Sequence, residues 1–205
     1  MITEALKRKL REKYGDEEVL VCRNAVCSGI GDRFTTPREQ TYRNIARQSS
    51  FIRRCDAEYN PLFLQLISYI VVTNRSGQKF FVSRRKGGDE RLRDTLAFFG
   101  GHINPCDMGE DTVMNAAIRE LNEEVKCDMP DALEYMGFVR DNGSPTSEHV
   151  GIVFQARVKK ATIRETDNLE GEWMTKKDLF SHYNDFESWG RYILDYLYEE
   201  AIQYA

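Results

Sequence analysis

The sequence predicts an α+β domain in which helices sandwich a mixed β-sheet. Two observations predict this class. Strand patterns outnumber helix patterns along the 205 residues, and the main helix pattern lies mid-chain, after a strand that ends in two glycines. Apolar residues make up 41% of the chain, which suits one ordered domain or one domain with an appendage.

The elements are predicted in order along a chain without repeats or low-complexity linkers. Leu6 and Leu10 among charges predict an amphipathic helix over 3–13, and a strand over 18–27 leads into a loop at 29–40. The apolar, β-branched run at 62–73 predicts a buried strand. Further strands are predicted at 78–86, 95–103, 132–140, 149–160 and 171–175, and helices at 112–126, 175–183 and 187–202.

Charge and composition exclude several kinds of partner. With 29 basic and 33 acidic side chains the net charge is −4, so no general attraction to nucleic acid is expected. No apolar run approaches the roughly 20 residues needed to span a bilayer, and residues 1–18 lack a signal peptide's apolar centre. The five cysteines show no CxxC spacing, so free thiols are expected. We therefore expect a cytoplasmic protein without a membrane or a nucleic-acid polymer as partner.

The segment RELNEE, residues 119–124, gathers three glutamates on one helix. At about 100° per residue, Glu120 and Glu124 fall at the edge of the apolar arc, and Arg119 and Glu123 are four residues apart and can pair. The outer face holds Asn115, Asn122 and Lys126. Carboxylates beside a packed face repel each other and lose hydration. A divalent cation such as Mg²⁺ or Mn²⁺ removes both penalties, and a solvated or salt-bridged helix surface is the alternative.

Residues 100–127, GGHINPCDMGEDTVMNAAIRELNEEVKC, resemble the Nudix box, G-x5-E-x7-R-E-U-x-E-E-x-G-U with U aliphatic. The core R-E-U-x-E-E is matched in full. Asp111 takes the slot of the upstream glutamate, which implies a structural role, either orienting the box or capping the helix. Gly101 becomes the leading glycine only with an insertion in the loop. Lys126 and Cys127 depart from the end of the pattern.

The resemblance covers about residues 62–200. It therefore divides the chain into an N-terminal extension, residues 1–60, packing on a Nudix hydrolase domain, residues 61–205. It implies the Nudix fold, an α/β/α sandwich with a mixed central sheet. It also implies a metal-dependent pyrophosphohydrolase, in which water attacks phosphorus in a nucleoside diphosphate derivative or a similar small-molecule diphosphate.

The resemblance also implies a ligand set for Mg²⁺ or Mn²⁺. Glu120 and Glu124 match the main metal ligands, and Glu123 either ligates the metal or is held by Arg119. The backbone carbonyl of Gly101 is a further candidate ligand. The catalytic group is thus Glu120, Glu123, Glu124 and Arg119.

The proton acceptor and the substrate contacts stay open at this level. Glu124 could take the proton of the attacking water while ligating, or Glu165 or Glu170 from the polar stretch 161–170 could take it. The basic side chains around the loop before the box could grip substrate phosphates or form a solvated basic loop. They are Arg84, Arg85 and Arg91.

Two other classes of function are alternatives. One is a Nudix-fold module that binds a nucleotide-like ligand without hydrolysing it, against which the intact core argues. The other is an isoprenoid-diphosphate isomerase-like enzyme, for which Cys106 and His102 are the candidate catalytic cysteine and metal-binding histidine. The segments FIRR, AEYNP and ESWGRYIL also resemble a little-characterised bacterial branch of Nudix proteins, assigned only as phosphoesterases. We expect a homodimer, with the N-terminal extension available for pairing.

Overall fold

The computed structural model describes residues 3–86, 94–128, 133–143 and 147–203. Its α-helices are α1 (Glu4–Tyr14), α2 (Gln40–Arg47), α3 (Arg54–Ala57), α4 (Thr112–Glu124), α5 (Lys176–Ser181) and α6 (Ser188–Gln203). Its strands are β1 (Glu18–Arg23), β2 (Arg33–Thr35), β3 (Ser50–Arg53), β4 (Phe63–Asn74), β5 (Lys79–Arg85), β6 (Leu96–Ala97), β7 (Phe99–His102), β8 (Val125–Cys127), β9 (Leu133–Arg140), β10 (His149–Val158), β11 (Ala161–Ile163) and β12 (Leu169–Thr175).

The main sheet is built around β4, which is buried from residue 64 to residue 73. Along one edge β4 pairs in parallel with β10, from His149 opposite Gln65 to Val158 opposite Asn74. Along the other edge it pairs antiparallel with β1, β7 and β5 in turn. The strand order is β12-β5-β4-β10-β9-β2. The predicted mixed sheet is therefore confirmed.

Helices cover both faces of this sheet. Because side chains alternate along a strand, Leu66 and Ile70 of β4 join the apolar cluster beneath α4, whereas Tyr69 and Val71 join the cluster beneath α6. The predicted helical spacing of α6 is also present, and among its described side chains the buried apolar ones are Trp189, Ile193, Leu194 and Leu197. The arrangement is the expected α/β/α sandwich.

The N-terminal segment is part of the same sheet. Strand β1 lies between β3 and β4, and β2 pairs with β9. Helix α2 packs Tyr42 and Ile45 into the cluster beneath α4. The division of the chain at residues 60 and 61 stays a prediction.

Several local expectations were wrong. The first strand ends at Arg23 because residues 24–27 turn as a 3₁₀ helix. That turn carries Cys27 back to Cys22, and the two are joined as a disulfide rather than left as the free thiols expected. The main helix ends at Glu124 because Val125–Cys127 pairs with Ala161–Ile163, which was expected to be loop.

Within the described ranges, no helix is both long enough and apolar enough to cross a bilayer.

Candidate active site

The site begins at the glycine pair Gly100–Gly101 within β7. Pairing with β4 places Gly100 opposite Tyr69 and Gly101 opposite Ser68. Gly100 has a φ of 138°, and a Cβ there would collide with the Ser68 carbonyl oxygen, so this position requires glycine. The Gly100 N–H donates to Glu124 Oε2 at 3.0 Å. The strand end is thereby joined to the last turn of α4.

Two largely buried carboxylates lie at this junction. Burial raises the pKa of Glu124 to about 7, and the charge of Glu120 adds to the effect. Burial also raises the pKa of Glu120, although Arg119 opposes it. A Cβ on Gly101 would lie 2.5 Å from Glu120 Oε1, so the Glu120 carboxylate rests directly against the glycine backbone. Both carboxylates therefore lie against the backbone of the glycine pair.

Arg119 organises the surrounding charges through all three guanidinium nitrogens. Its Nε and Nη2 donate to the two carboxylate oxygens of Asp107, at 2.8 and 3.0 Å, and Nη2 also donates to the His102 carbonyl at 2.9 Å. Its Nη1 donates to Glu120 Oε1 at 2.8 Å and to Glu123 Oε2 at 3.0 Å. The hydrogen bonds with Asp107 are the main cause that raises the pKa of Arg119. Arg119 is therefore a fixed cation that orients Glu120 and holds Glu123.

Asp107 is the residue of this site that the sequence reasoning missed. It is only 3% exposed, and its Oδ2 also accepts from the Asn104 N–H at 2.8 Å. Five residues separate it from Gly101, so the glycine and acidic slots of the box are met by Gly101 and Asp107 without an insertion. The extra residues instead lie between Asp107 and Arg119, at 108–118. Counting forward from Gly101 would have found Asp107.

Asp111, assigned to the acidic slot from sequence with orienting the box or capping the helix as its expected role, takes the capping role. It is the N-cap of α4, and its Oδ1 accepts from the Met114 N–H at 3.1 Å. Its Oδ2 accepts from the Tyr42 hydroxyl at 2.8 Å and lies 2.6 Å from Arg43 Nη1. Asp111 therefore joins the box helix to the N-terminal segment and not to Arg119.

The pleat of β5 separates the candidate phosphate-binding arginines. The charge of Arg85 lowers the pKa of Glu124, and it also opposes the burial that raises the pKa of Glu187, which is bonded to Tyr69 on the α6 side of the sheet, so Arg85 lies within electrostatic reach of both groups. Arg84 lies on the α6 face of the sheet, where Leu96 and Glu170 help line a cavity of about 440 Å³. Arg84 is held there by a hydrogen bond to the Asp94 carbonyl at 2.8 Å. Arg91 lies outside the described residues.

The two candidate bases are separated in the same way. Glu170 is paired in register with Arg84 and shares its face of the sheet. The charge of Glu165 raises the pKa of Glu124, so Glu165 lies within electrostatic reach of that carboxylate. The Arg164 N–H donates to the Glu124 carbonyl at 2.8 Å, which anchors this loop to the end of α4. The structure thus brings Glu165 toward the site and not Glu170.

The side chains of His102 and Cys106 point to other partners. His102 Nε2 lies 3.0 Å from Gln65 Oε1, its ring centroid is 5.4 Å from that of His149, and burial lowers its pKa well below the usual value. Cys106 is exposed, with Sγ 3.9 Å from Asp107 Oδ1. Within the described ranges, neither side chain makes a hydrogen bond to Glu120 or Glu124.

The donor set suits a hard divalent cation. In the described part of the chain, no three His, Cys, Asp or Glu side chains already converge as a metal-binding group, and Arg119 lies between Glu120 and Glu123. However, Glu120, Glu124 and the Gly101 carbonyl offer only oxygen donors, which Mg²⁺ and Mn²⁺ prefer. Burial also disfavours the charged form of both carboxylates, a cost that a bound cation offsets. The residues present therefore fit such a metal.

Comparison with known proteins agrees with this architecture. A NUDIX domain model matches residues 64–197. Protein YmaB of Bacillus subtilis strain 168 is 32% identical over 160 residues, covering 71% of this chain and 77% of YmaB. The crystal structure of Tm1382, provisionally assigned as a Nudix hydrolase, has a TM-score of 0.77 and 23% identity, covering 88% of this chain and 98% of Tm1382.

A more distant fold match is the bifunctional NMN adenylyltransferase/ADP ribose pyrophosphatase of Francisella tularensis, solved with AMP and a manganese ion. It has a TM-score of 0.53 and 17% identity, and the match covers 66% of this chain and 41% of that protein. The fold and the intact core define a Nudix-type pyrophosphohydrolase. The chain belongs to the Nudix family.

Proposed function

We propose that this protein hydrolyses a diphosphate linkage in a nucleoside diphosphate derivative, or a similar compound, in a Mg²⁺- or Mn²⁺-dependent reaction. Water attacks one phosphorus, and the other phosphate leaves with its substituent. The observation that carries this proposal is the pair of largely buried carboxylates, Glu120 and Glu124, which lie against the backbone of Gly100 and Gly101.

The chain's own residues have separate tasks in this proposal. Glu120, Glu124 and the Gly101 carbonyl would hold a divalent cation, and Arg119 orients Glu120 through its hydrogen bond. When bound, a divalent cation lowers the pKa of a coordinated water and neutralises charge on the phosphates. Glu165 is the proposed acceptor of the water's proton, since it combines exposure with closeness to Glu124.

The phosphates of the substrate also need a positively charged side chain of the protein. Arg85 is the proposed contact, because it is the described candidate arginine whose charge reaches Glu124. A guanidinium donates through several N–H groups to phosphate oxygens at once, which also orients the substrate. Arg84 faces the opposite side of the sheet, and we assign it no phosphate contact.

The substrate class is supported by a structural neighbour. The Francisella tularensis protein of related fold was solved with a nucleoside monophosphate and manganese. A nucleoside diphosphate derivative is therefore the first class to test on this chain. The isomerase alternative receives no support, because Cys106 and His102 have their contacts with Asp107 and Gln65.

The decisive test is a panel of nucleoside diphosphate derivatives, including ADP ribose and nucleoside diphosphate sugars, incubated with Mg²⁺, Mn²⁺ or chelator. We expect metal-dependent release of a nucleoside monophosphate or phosphate. Reaction in ¹⁸O-labelled water should place one label on a product phosphate, as attack at phosphorus requires. Label on a carbon-bound hydroxyl, with an intact diphosphate as the other product, would contradict the proposed attack at phosphorus.

Matched variants distinguish metal chemistry from general damage. Glu120→Gln and Glu124→Gln should each lower kcat by about a thousandfold, or roughly 4 kcal/mol of barrier, with folding retained. Asn122→Ala, on the exposed outer face of α4, should stay within twofold. The proposal fails if the panel gives no metal-dependent turnover and if Glu124→Gln binds Mn²⁺ as Asn122→Ala does.

A homodimer and a cytoplasmic location are also proposed. The N-terminal segment supplies surface outside the box for pairing, and light scattering coupled to gel filtration measures the mass directly. A monomeric mass across the working concentration range would contradict the dimer.

A further inference from the structure

The residues inserted into the box separate two acidic positions that have different partners. Asp107 holds Arg119, and Asp111, four residues later, caps α4. The partners of the Asp111 carboxylate outside its own helix are Tyr42 and Arg43, which come from α2 of the N-terminal segment. The start of the box helix is therefore fixed by residues that lie outside the box.

Tyr42 is placed rigidly for this contact. Its side chain is 0% exposed, and its ring packs against Tyr135 and Phe154, with centroids 5.2 and 5.6 Å away. Burial and the neighbouring Asp111 raise the pKa of Tyr42, so its hydroxyl stays protonated and donates at any working pH. The donor position is thus set by the core beneath α4.

Arg43 is oriented from its own helix. Glu39, one turn earlier on the chain, accepts from both Arg43 Nε and Nη2, at 3.3 and 2.8 Å. This leaves Nη1 for Asp111 at 2.6 Å. A negative charge at the N-terminus of a helix is favoured by the helix dipole, so the ion pair and the cap act in the same direction.

The first turn of α4 is also bonded to the loop that orients Arg119. Asn115 Nδ2 donates to the Asp107 carbonyl at 3.0 Å, and the Asp107 carboxylate holds Arg119. Arg119 in turn donates to Glu120. A shift of the helix start would therefore move Asp107 and the carboxylate that Arg119 orients.

We propose that Tyr42 and Arg43 are positioning residues for the metal-binding carboxylates of α4, acting through Asp111. The inference rests on the proposed function. Under this inference the N-terminal segment contributes to the reaction. The loop before α4 is longer than in the Nudix box, and Tyr42 and Arg43 supply the contacts that hold α4 in place.

The test compares two variants with two matched controls. Tyr42→Phe removes only the donating hydroxyl, and Tyr135→Phe removes a neighbouring buried hydroxyl that has no hydrogen-bond partner among the described residues. Arg43→Gln removes the ion pair, and Arg47→Gln changes an exposed arginine of the same helix. Arg43→Lys restores the charge and serves as the rescue.

The primary readout is the dissociation constant for Mn²⁺, measured by electron paramagnetic resonance well below the melting temperature. We expect Tyr42→Phe and Arg43→Gln to weaken Mn²⁺ binding about tenfold. Mutating a residue that positions a metal ligand typically lowers metal affinity by this amount or more. Both controls should stay within twofold, and Arg43→Lys should recover most of the loss. With the substrate found by the panel, kcat should fall while KM changes less than twofold.

A second readout needs no metal. Backbone amides of α4 should exchange hydrogen faster in metal-free Tyr42→Phe than in metal-free Tyr135→Phe. If Tyr42→Phe does not fold, Arg43→Gln, a surface change, carries the same test.

The outcomes separate this inference from the proposed function. If Glu120→Gln loses Mn²⁺ binding while Tyr42→Phe and Arg43→Gln bind like their controls, the positioning inference is overturned and the proposed function stands. If Glu120→Gln and Glu124→Gln bind Mn²⁺ as Asn122→Ala does, and the panel gives no metal-dependent turnover, both are overturned. A lower melting temperature in Tyr42→Phe with unchanged Mn²⁺ affinity also overturns the inference, because it shows a role in stability alone.

Discussion

Asp107 and Arg119 form a two-pronged ion pair in which each carboxylate oxygen accepts from a different guanidinium nitrogen, at 2.8 and 3.0 Å. The geometry fixes the plane of the guanidinium. The remaining nitrogen, Nη1, can then meet both Glu120 and Glu123. The orientation of the site's carboxylates therefore depends on a buried aspartate that touches neither of them.

Arg119→Lys tests this dependence, since a lysine cannot form the fork. We expect kcat to fall about 10- to 100-fold, or ~1.4 to 2.7 kcal/mol of barrier. The free energy of unfolding should fall by about 1 to 3 kcal/mol, because the Asp107 carboxylate loses hydrogen bonds. Steady-state kinetics and urea unfolding measure both. Arg157→Lys, in the exposed pair with Glu134, is the control and should change neither. Equal effects in Arg119→Lys and Arg157→Lys would contradict the role of the Asp107–Arg119 pair in orienting the carboxylates.

Gly101→Ala should damage the site more than the fold. The added methyl would lie 2.5 Å from Glu120 Oε1, so the carboxylate must move. We expect Mn²⁺ affinity and kcat to fall at least about tenfold, while circular dichroism still shows a folded protein. Gly29→Ala meets no atom within 4 Å and serves as the control. Unchanged Mn²⁺ affinity in Gly101→Ala would remove Gly101 from the site.

Glu165→Gln and Glu170→Gln should behave differently. Glu165 is close enough to Glu124 to raise its pKa, whereas Glu170 lines a cavity on the other face of the sheet. Loss of a general base typically costs about 10²- to 10⁴-fold in rate. We expect that loss in kcat for Glu165→Gln, with little change in Mn²⁺ affinity, and no loss for Glu170→Gln. The reverse ranking in kcat measurements would reassign the base.

Glu148 should make stability depend on pH. Burial raises its pKa to about 7, and a hydrogen bond with the Glu58 side chain adds to the shift. The folded value lies above the unfolded value, so this contribution is present below the unfolded pKa and is lost as pH rises through about 7. Glu148→Gln should therefore lose less stability than the unmodified protein between pH 5 and pH 8. Urea unfolding with chelator at both values measures the difference. The exposed control Glu172→Gln should keep the original slope, and an unchanged slope in Glu148→Gln would contradict the shift.

The sequence predicted those parts of the fold that have a strong local signal. The continuous apolar run predicted β4 within one residue at each end. The predicted start of α4 at Thr112 is also found, with Asp111 as its cap. Helix α2 was missed, because only Tyr42 and Ile45 are buried among polar neighbours and its packing depends on distant strands. The local sequence pattern was sufficient to predict an element whose buried residues are continuous, as in β4. It was insufficient for α2, whose formation depends on a few long-range contacts.

The site was predicted unevenly for a similar reason. The pairing of Arg119 with Glu123 follows from helical spacing and is present. Asp107 was missed because the acidic slot was counted back from Arg119 across inserted residues. The separation of Arg85 from Arg84 depends on which face each side chain takes, and that follows from the pairing of β5 with β4 and β12. Strand register cannot be read from composition or charge.

The pairing of β1 with β4 has a consequence for the protein in solution. Residues 21–23 pair with residues 63–65, so the backbone hydrogen-bonding groups on that edge of β4 are satisfied. A chain shortened to residues 61–205 would present those groups as an open, apolar sheet edge, the kind of surface on which strands of other molecules add. We therefore expect the N-terminal segment to reduce aggregation by covering this edge. Its removal should appear first as poor solubility.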